Sequence, residues 1–329
     1  MTRPDTEKTV TLYPRQKGAE KTGCLPIPVV EPAGKLPKPP WLRVRAGSQA
    51  SHFHQVRNLL TDSRLITVCD EAACPNKGEC YGSGTASFMI LGDRCTRRCP
   101  FCDVAHGIPL PPDSREPEAL AETVVRLNLS HIVITSVNRD DLPDGGASHF
   151  VACQQAIRAR SPTTRIELLT PDFRRKTAVA LDCFAVNPPD VFNHNLETVP
   201  RLYPMCRPGA DYQGSLDLLK AFGDRCPAVP RKSGLMVGLG ETDEEIVQTI
   251  RDLYSHGVRM LTIGQYLQPS RHHLPVRRYV APAVFDWYRE QALAIGFDFV
   301  ASAPLVRSSY HAGIQAEQVL GKKRNPDKF

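Results

Sequence analysis

TASFMILGDRCTRRCPFC, residues 85–102, joins a short apolar run to three cysteines at 95, 99 and 102. An apolar run of this length reads as a buried strand, and the cysteines then lie in the loop that follows it. Their spacing, three residues and then two, fits neither a structural zinc site nor an ordinary ferredoxin, since each needs four ligands. A cubane [4Fe–4S] cluster held by three thiolates keeps one iron open to a substrate or cofactor chelate. Pro100 and Phe101 stiffen and shield the loop, and Arg94, Arg97 and Arg98 can offset the charge of three thiolates. A zinc knuckle with a distant fourth ligand, or three reduced buried cysteines, are the alternatives at this point.

Outward from this loop the pattern becomes rhythmic. Further apolar runs at 131–137, 165–170, 191–195, 233–239, 260–267 and 298–304 predict strands. Amphipathic helical stretches lie between most of them, among them EALAETVVRLNL, FVACQQAIRARS and TDEEIVQTIRDLYSH. In the last of these, Thr242 and Glu245 form a capping box. Strand–helix alternation implies parallel strands with helical crossovers. The fold class is therefore α/β: a partial, open β/α barrel of about six units, with N-terminal and C-terminal extensions. The expected divisions are a disordered or loosely draped arm (1–45, eight prolines), an extension with a short helix over SQASHFHQVRNLLTDSRL (46–84), the barrel (85–296) and a C-terminal segment (297–329).

Composition narrows the class. Hydrophobic content of 41% and charged content of 23% fit a soluble globular enzyme. No apolar run is long enough to cross a bilayer and the first residues lack a signal-peptide layout, so no membrane role and a cytoplasmic location are expected. The net charge of +6 favours acidic protein partners; no nucleic-acid-binding signature accompanies it. Lys322, Lys323 and Arg324 read as a solvated tail. Of eleven cysteines, six fall between 69 and 102, as 69/74/80 and 95/99/102. Clustered thiols in a reducing compartment serve metals or catalysis. The other five pack as small hydrophobes.

In β/α barrels the chemistry sits at the C-terminal ends of the strands. Those ends carry Ser136, Asn138 and Asp140; Glu167 and Asp172; His194, Asn195 and Glu197; Gln265; and Arg307-Ser308-Ser309. Gly238 and Gly240 read as sites of close backbone approach or of a turn, and His272-His273 as part of a loop that shields the site.

C-x3-C-x2-C after the first strand of such a barrel resembles the radical S-adenosylmethionine (SAM) superfamily. CDEAACPNKGEC, with cysteines at 69, 74 and 80 just upstream, resembles the lipoyl synthase family within it. TSVNRDDLPDGGA, ELLTPDF, NPPDVFNHNLETVPRLY, RPGADY, KSGLMVGLGET, LTIGQYLQPSRHHLPV and RSSYHAG extend the likeness over roughly residues 40–315. Asn138 departs from it, since the family usually has Asp before Arg139-Asp140.

The resemblance implies two [4Fe–4S] clusters and S-adenosyl-L-methionine as cofactors. Cys95, Cys99 and Cys102 would ligate the radical cluster; Cys69, Cys74, Cys80 and Ser309 would hold an auxiliary cluster that donates sulfur. Ser136, Asn138, Glu167, His194, Asn195, Arg207 and the aromatic Phe101 would line the cofactor groove. The implied reaction inserts two sulfur atoms into an octanoyl group on a lysine of a lipoyl carrier domain. Implied partners are 2-oxoacid dehydrogenase E2 subunits, the glycine cleavage H protein, a flavodoxin or ferredoxin reductant, and an iron–sulfur carrier. A metal-binding interaction module and a sulfur-inserting enzyme resembling biotin synthase are the competing readings.

Overall fold

The computed structural model describes residues 14–30, 34, 36–43, 60, 65–71, 74, 76, 79–80 and 87–323. Its main sheet contains strands β1 (Ile66–Thr67), β2 (Ser87–Ile90), β5 (His131–Ser136), β6 (Arg165–Leu169), β7 (Val191–Asn193), β8 (Arg231–Val237), β9 (Met260–Gln265) and β10 (Phe299–Ser302), hydrogen-bonded in that order. All neighbours are parallel except β1, which runs antiparallel on the β2 edge. β10 pairs only with β9, so among the described residues the barrel is open, as its sequence rhythm predicts. The remaining strands, β3 (Arg94–Cys95) and β4 (Ala105–His106), form a separate two-stranded parallel sheet.

Helices α3 (Glu116–Arg126), α4 (Ala147–Arg160), α5 (Thr177–Val186), α7 (Tyr212–Arg225), α8 (Asp243–Ser255) and α9 (Pro282–Ile295) are the six crossovers between β2 and β10, with the short α6 (Tyr203–Cys206) leading into α7. Helix α8 begins with the expected capping box: the Thr242 amide donates to Glu245 Oε2 at 2.8 Å, and the Glu245 amide to Thr242 Oγ1 at 3.3 Å. The main apolar core lies between the sheet and these helices. Phe192 of β7 stacks on Phe222 of α7 with ring centroids 3.8 Å apart, and Phe184 of α5 meets Phe192 and Phe150 edge-on.

Alternation along each strand sends the residues beside Phe192 to the opposite, concave face. That face is polar in its lower half. Glu167, 0% exposed, accepts from Lys232 Nζ at 3.0 Å and from Asn193 Nδ2 at 2.7 Å. His131, the first residue of β5, lies 3.8 Å from the same carboxylate. Helix α10 (Ala312–Lys323) covers this end, packing Ala316 and Val319 against Val191 and Met260, the first residues of β7 and β9. To reach it, the chain after β10 crosses the inner side of β9 at Gly264. A Cβ there would collide with the Val306 carbonyl, which explains the glycine.

The expected helix at 48–65 lies outside the described residues apart from Leu60, which is helical and buried, and Leu65. Residues 1–13 of the arm also lie outside them. The part from 14 to 30 is not loose. It contains helix α1 (Gly18–Thr22), and Gln16 bridges to His106.

Candidate active site

Leu91 and Gly92, at φ 67° and 90°, turn the chain off the end of β2. Pairing of β3 with β4 then closes the cysteine loop at its base. Cys95 accepts at Sγ from the Arg97 amide at 3.4 Å, and the Cys102 amide donates to the Cys99 carbonyl at 3.2 Å. Thr96 fastens the loop to the end of β5 by donating its amide and hydroxyl to the Asn138 carbonyl at 3.1 and 3.0 Å. Arg97 is buried and bridges two carboxylates, Asp140 and Asp172, the latter at 3.0 and 3.2 Å. This corrects the expected role of Arg97 as a counter-charge to the thiolates. Its guanidinium is committed to aspartates, and Arg98 donates to the Lys21 carbonyl at 3.4 Å.

The loop is gripped from two further sides. Lys21 of α1 donates to the carbonyls of Cys102 and Val104 at 2.7 Å each. His273 donates from Nε2 to the Cys102 carbonyl at 3.2 Å and pairs at Nδ1 with Ser270 Oγ, while the Leu274 amide donates to the Pro100 carbonyl at 3.0 Å. The loop around His272-His273 thus covers the cysteines, as expected of a shield. Burial, followed by the charges of Cys95 and Cys102, pushes the Cys99 thiol up to about 12 against the pull of Arg207 and Lys21. Burial raises Cys95 as well.

The second triplet is assembled from separated pieces. Cys69 lies in helix α2 (Val68–Glu71), directly after β1, and the Cys74 amide donates to its carbonyl at 3.1 Å. The Cys80 amide donates to the Asn76 carbonyl at 2.9 Å, and Asn76 Nδ2 donates to the Leu305 carbonyl at 2.6 Å. Cys69, Cys74 and Cys80 share one cleft with Ser87, Arg307 and Ser309. Glu79 closes it by accepting from Tyr310 Oη at 2.9 Å and from His311 Nε2 at 3.2 Å. Burial, followed by the charges of Cys69, Cys74 and Glu79, pushes the Cys80 thiol up to about 12.

Each group thus holds buried thiols that resist ionisation (Cys95 and Cys99 in one, Cys80 in the other) beside further thiols, a donor set that calls for positive charge from a bound metal core. Among the described residues no three His, Cys, Asp or Glu side chains gather tightly enough for a single metal ion. A cubane asks for something different, since each thiolate takes its own iron.

Residues 89–253 match the model of the radical SAM superfamily. The lipoyl synthase of Methylococcus capsulatus (strain Bath) is 62% identical over 307 residues, which are 93% of this chain and 94% of that protein. That of Ralstonia pickettii (strain 12J) is 59% identical over 304 residues, 92% of this chain and 91% of that protein. The chain belongs to the lipoyl synthase family. In fold it is also similar to Streptococcus suis SuiB bound to S-adenosylmethionine, with a TM-score of 0.50 at 10% identity, covering 69% of this chain and 53% of that one. As a radical SAM family of lipoyl synthases, it uses [4Fe–4S] clusters and S-adenosylmethionine.

Of the residues expected in the cofactor groove of a lipoyl synthase, Phe101 lies in the radical loop, Asn138 is bonded to it and Arg207 faces Cys99. Arg207 is buried, donates to the Asn195 carbonyl and Tyr203 Oη at 3.2 and 2.9 Å, faces Asp172 at 3.9 Å and acts electrostatically on Cys99. His194 Nδ1 donates to the Thr170 carbonyl at 2.9 Å. Burial and then Arg207 lower its pKa to about 4, so at neutral pH its Nε2 is an unprotonated acceptor. That Nε2, Asn195 Oδ1 and Ser136 Oγ are all buried without a hydrogen-bond partner, a set of orphaned atoms that suits a polar cofactor. Asn138 binds the loop through its carbonyl, and Phe101 packs half-buried on the core.

Glu167 is the exception. It points to the concave face among Lys232, Asn193 and His131, because a fully buried lysine requires a carboxylate partner. Gly238, at φ 102°, does make a close approach, but to the Arg278 carbonyl of its own chain. Gly240, at φ 116°, is a turn. Lys21 carried no signal in the sequence, since a lone lysine in a proline-rich arm has neither motif nor period.

Proposed function

We infer that the chain inserts two sulfur atoms, at C6 and C8, into an octanoyl group amide-linked to a lysine of a carrier domain. When bound, one cluster with S-adenosylmethionine supplies the hydrogen-abstracting 5′-deoxyadenosyl radical, and the auxiliary cluster supplies sulfur. Cys95, Cys99 and Cys102 would hold the first cluster, their three thiolates leaving it able to take the cofactor. Cys69, Cys74, Cys80 and Ser309 hold the second. Arg207 orients the cofactor's carboxylate, and His194 Nε2 and Asn195 Oδ1 accept from its ammonium or ribose hydroxyls. The His273 loop excludes water from the thiolates.

The observation that carries this reading is the meeting of Cys69, Cys74, Cys80 and Ser309 in one cleft. A radical enzyme that only abstracts hydrogen needs no second donor set. Carrier domains of E2 subunits and of the glycine cleavage H protein are the substrates, with a flavodoxin or ferredoxin as reductant and an iron–sulfur carrier to rebuild the auxiliary cluster. The reaction takes place in the cytoplasm, where such thiols stay reduced. Anaerobic reconstitution should give about eight irons per chain. Incubation with an octanoyl-lysyl peptide should then yield the dithiolated mass together with 5′-deoxyadenosine. Bound zinc with negligible iron, or cofactor cleavage with no change in peptide mass, would contradict the reading.

A further inference from the structure

Lys21 stands apart from the rest of its segment. Its side chain is 1% exposed, and both acceptors of its ammonium, the carbonyls of Cys102 and Val104, are neutral. Burying an ammonium costs several kcal/mol unless an opposite charge lies near it. The groups on which Lys21 acts electrostatically include Cys95 and Cys99, the thiols of the radical loop.

The arm is built to deliver this charge. Gln16 and His106 exchange backbone hydrogen bonds at 2.9 Å in both directions, fixing the arm to the base of the loop. Gly18, at φ 51°, seats α1 against the His272 ring. Arg15 and Lys17 reach Glu71 at 3.1 and 3.0 Å, two residues beyond Cys69, so the segment also fastens the auxiliary side. Of the other cations near the loop, Arg97 is engaged with Asp140 and Asp172, Arg94 faces Asp93, Arg98 donates to the Lys21 carbonyl, and Arg207 faces Asp172 while also acting on Cys99.

We propose that Lys21 is a positioning residue for the radical cluster: through it the N-terminal arm clasps the 95–102 loop and holds one buried positive charge beside that cluster, favouring its reduced state. The inference rests on the reading of Cys95, Cys99 and Cys102 as the cluster ligands. A reduced cluster carries one more electron than an oxidised one, and a fixed cation in a low-dielectric setting stabilises the more negative form.

The test uses the full-length chain with Cys69→Ala, Cys74→Ala and Cys80→Ala, so that one cluster reports, titrated with titanium(III) citrate and followed by electron paramagnetic resonance. Lys21→Met and Lys21→Gln should load the same iron as the parent. Their ratio of reduced to oxidised cluster at a given potential should fall at least tenfold, a shift of about 59 mV to more negative potential. Lys21→Arg, which keeps the charge, should return most of the way to the parent. If Lys21→Met and Lys21→Gln fail to fold or load while Lys21→Arg does both, the need for a cation is equally supported. Unchanged potentials in the neutral variants, or a Lys21→Arg variant that behaves like them, would overturn the proposal. A parent that binds no iron would instead overturn the ligand assignment on which it rests.

Discussion

The two cysteine triplets solve the same ligand problem by opposite routes. Cys95, Cys99 and Cys102 lie within eight residues, in one loop closed at its base by β3 and β4. Cys69, Cys74 and Cys80 spread over twelve residues and meet Ser309 only because the chain after β10 returns past Gly264. The first triplet thus lies in one short loop that Lys21 and His273 hold from outside, whereas the second is completed by a segment more than two hundred residues away, marked by the bond from Asn76 to Leu305. A cluster that must cycle electrons benefits from a rigid local cradle. A cluster that gives up its sulfur benefits from a ligand on a separate segment.

The largest expected difference between the triplets is all-or-none. Replacing Cys95, Cys99 and Cys102 with Ala should halve the iron and abolish formation of 5′-deoxyadenosine. Replacing Cys69, Cys74 and Cys80 should also halve the iron but leave abortive cofactor cleavage measurable, with no sulfur insertion. Identical behaviour of the two triple variants would erase the distinction.

Ser309 sharpens the comparison. Oxygen is a harder donor than thiolate and matches an iron–sulfide core less well, so it should release more readily. Ser309→Ala should assemble much of its iron yet lose sulfur insertion. Ser309→Cys should hold the auxiliary cluster and still insert poorly. Full lipoyl formation by Ser309→Cys, followed by product mass, would show the oxygen ligand to be dispensable.

A smaller effect belongs to the radical side. With the pKa of His194 lowered to about 4, the unfolded chain binds more protons than the folded one between that value and the usual 6.5. Stability from this group is therefore present above pH 6.5 and is lost as pH falls towards 4, by up to about 3 kcal/mol at 1.36 kcal/mol per unit. Urea midpoints of the cluster-free protein at pH 7 and pH 4.5 should differ less in His194→Gln than in the parent. Equal pH dependence would mean that His194 is not held neutral.

The same local and long-range division explains what the sequence disclosed. Seven apolar runs predicted the parallel strands to within a residue or two, because the strand faces packed against the helices must be apolar. Thr242 and Glu245 announced their helix because a capping box is a local device. The six cysteines could be read from spacing, and Ser309 only through the resemblance of RSSYHAG to a known family. Glu167 was misplaced at a strand end. It is the third residue of β6, and only the arrival of Lys232 from β8 shows that its carboxylate serves a buried ion pair. Lys21 was invisible for the same reason: its partners lie 81 and 83 residues away, and nothing periodic connects them.

The claim at the centre of this account is that the 69/74/80/309 site supplies the inserted sulfur. It is tested most directly by reconstituting the chain with heavy-isotope sulfide, removing all free sulfide, and allowing a single turnover on an octanoyl-lysyl peptide under anaerobic conditions. Mass spectrometry should find both sulfur atoms of the product carrying the heavy isotope, and no labelled product from the Cys69, Cys74, Cys80→Ala chain. Unlabelled product from the parent, or labelled product from that variant, would contradict the account.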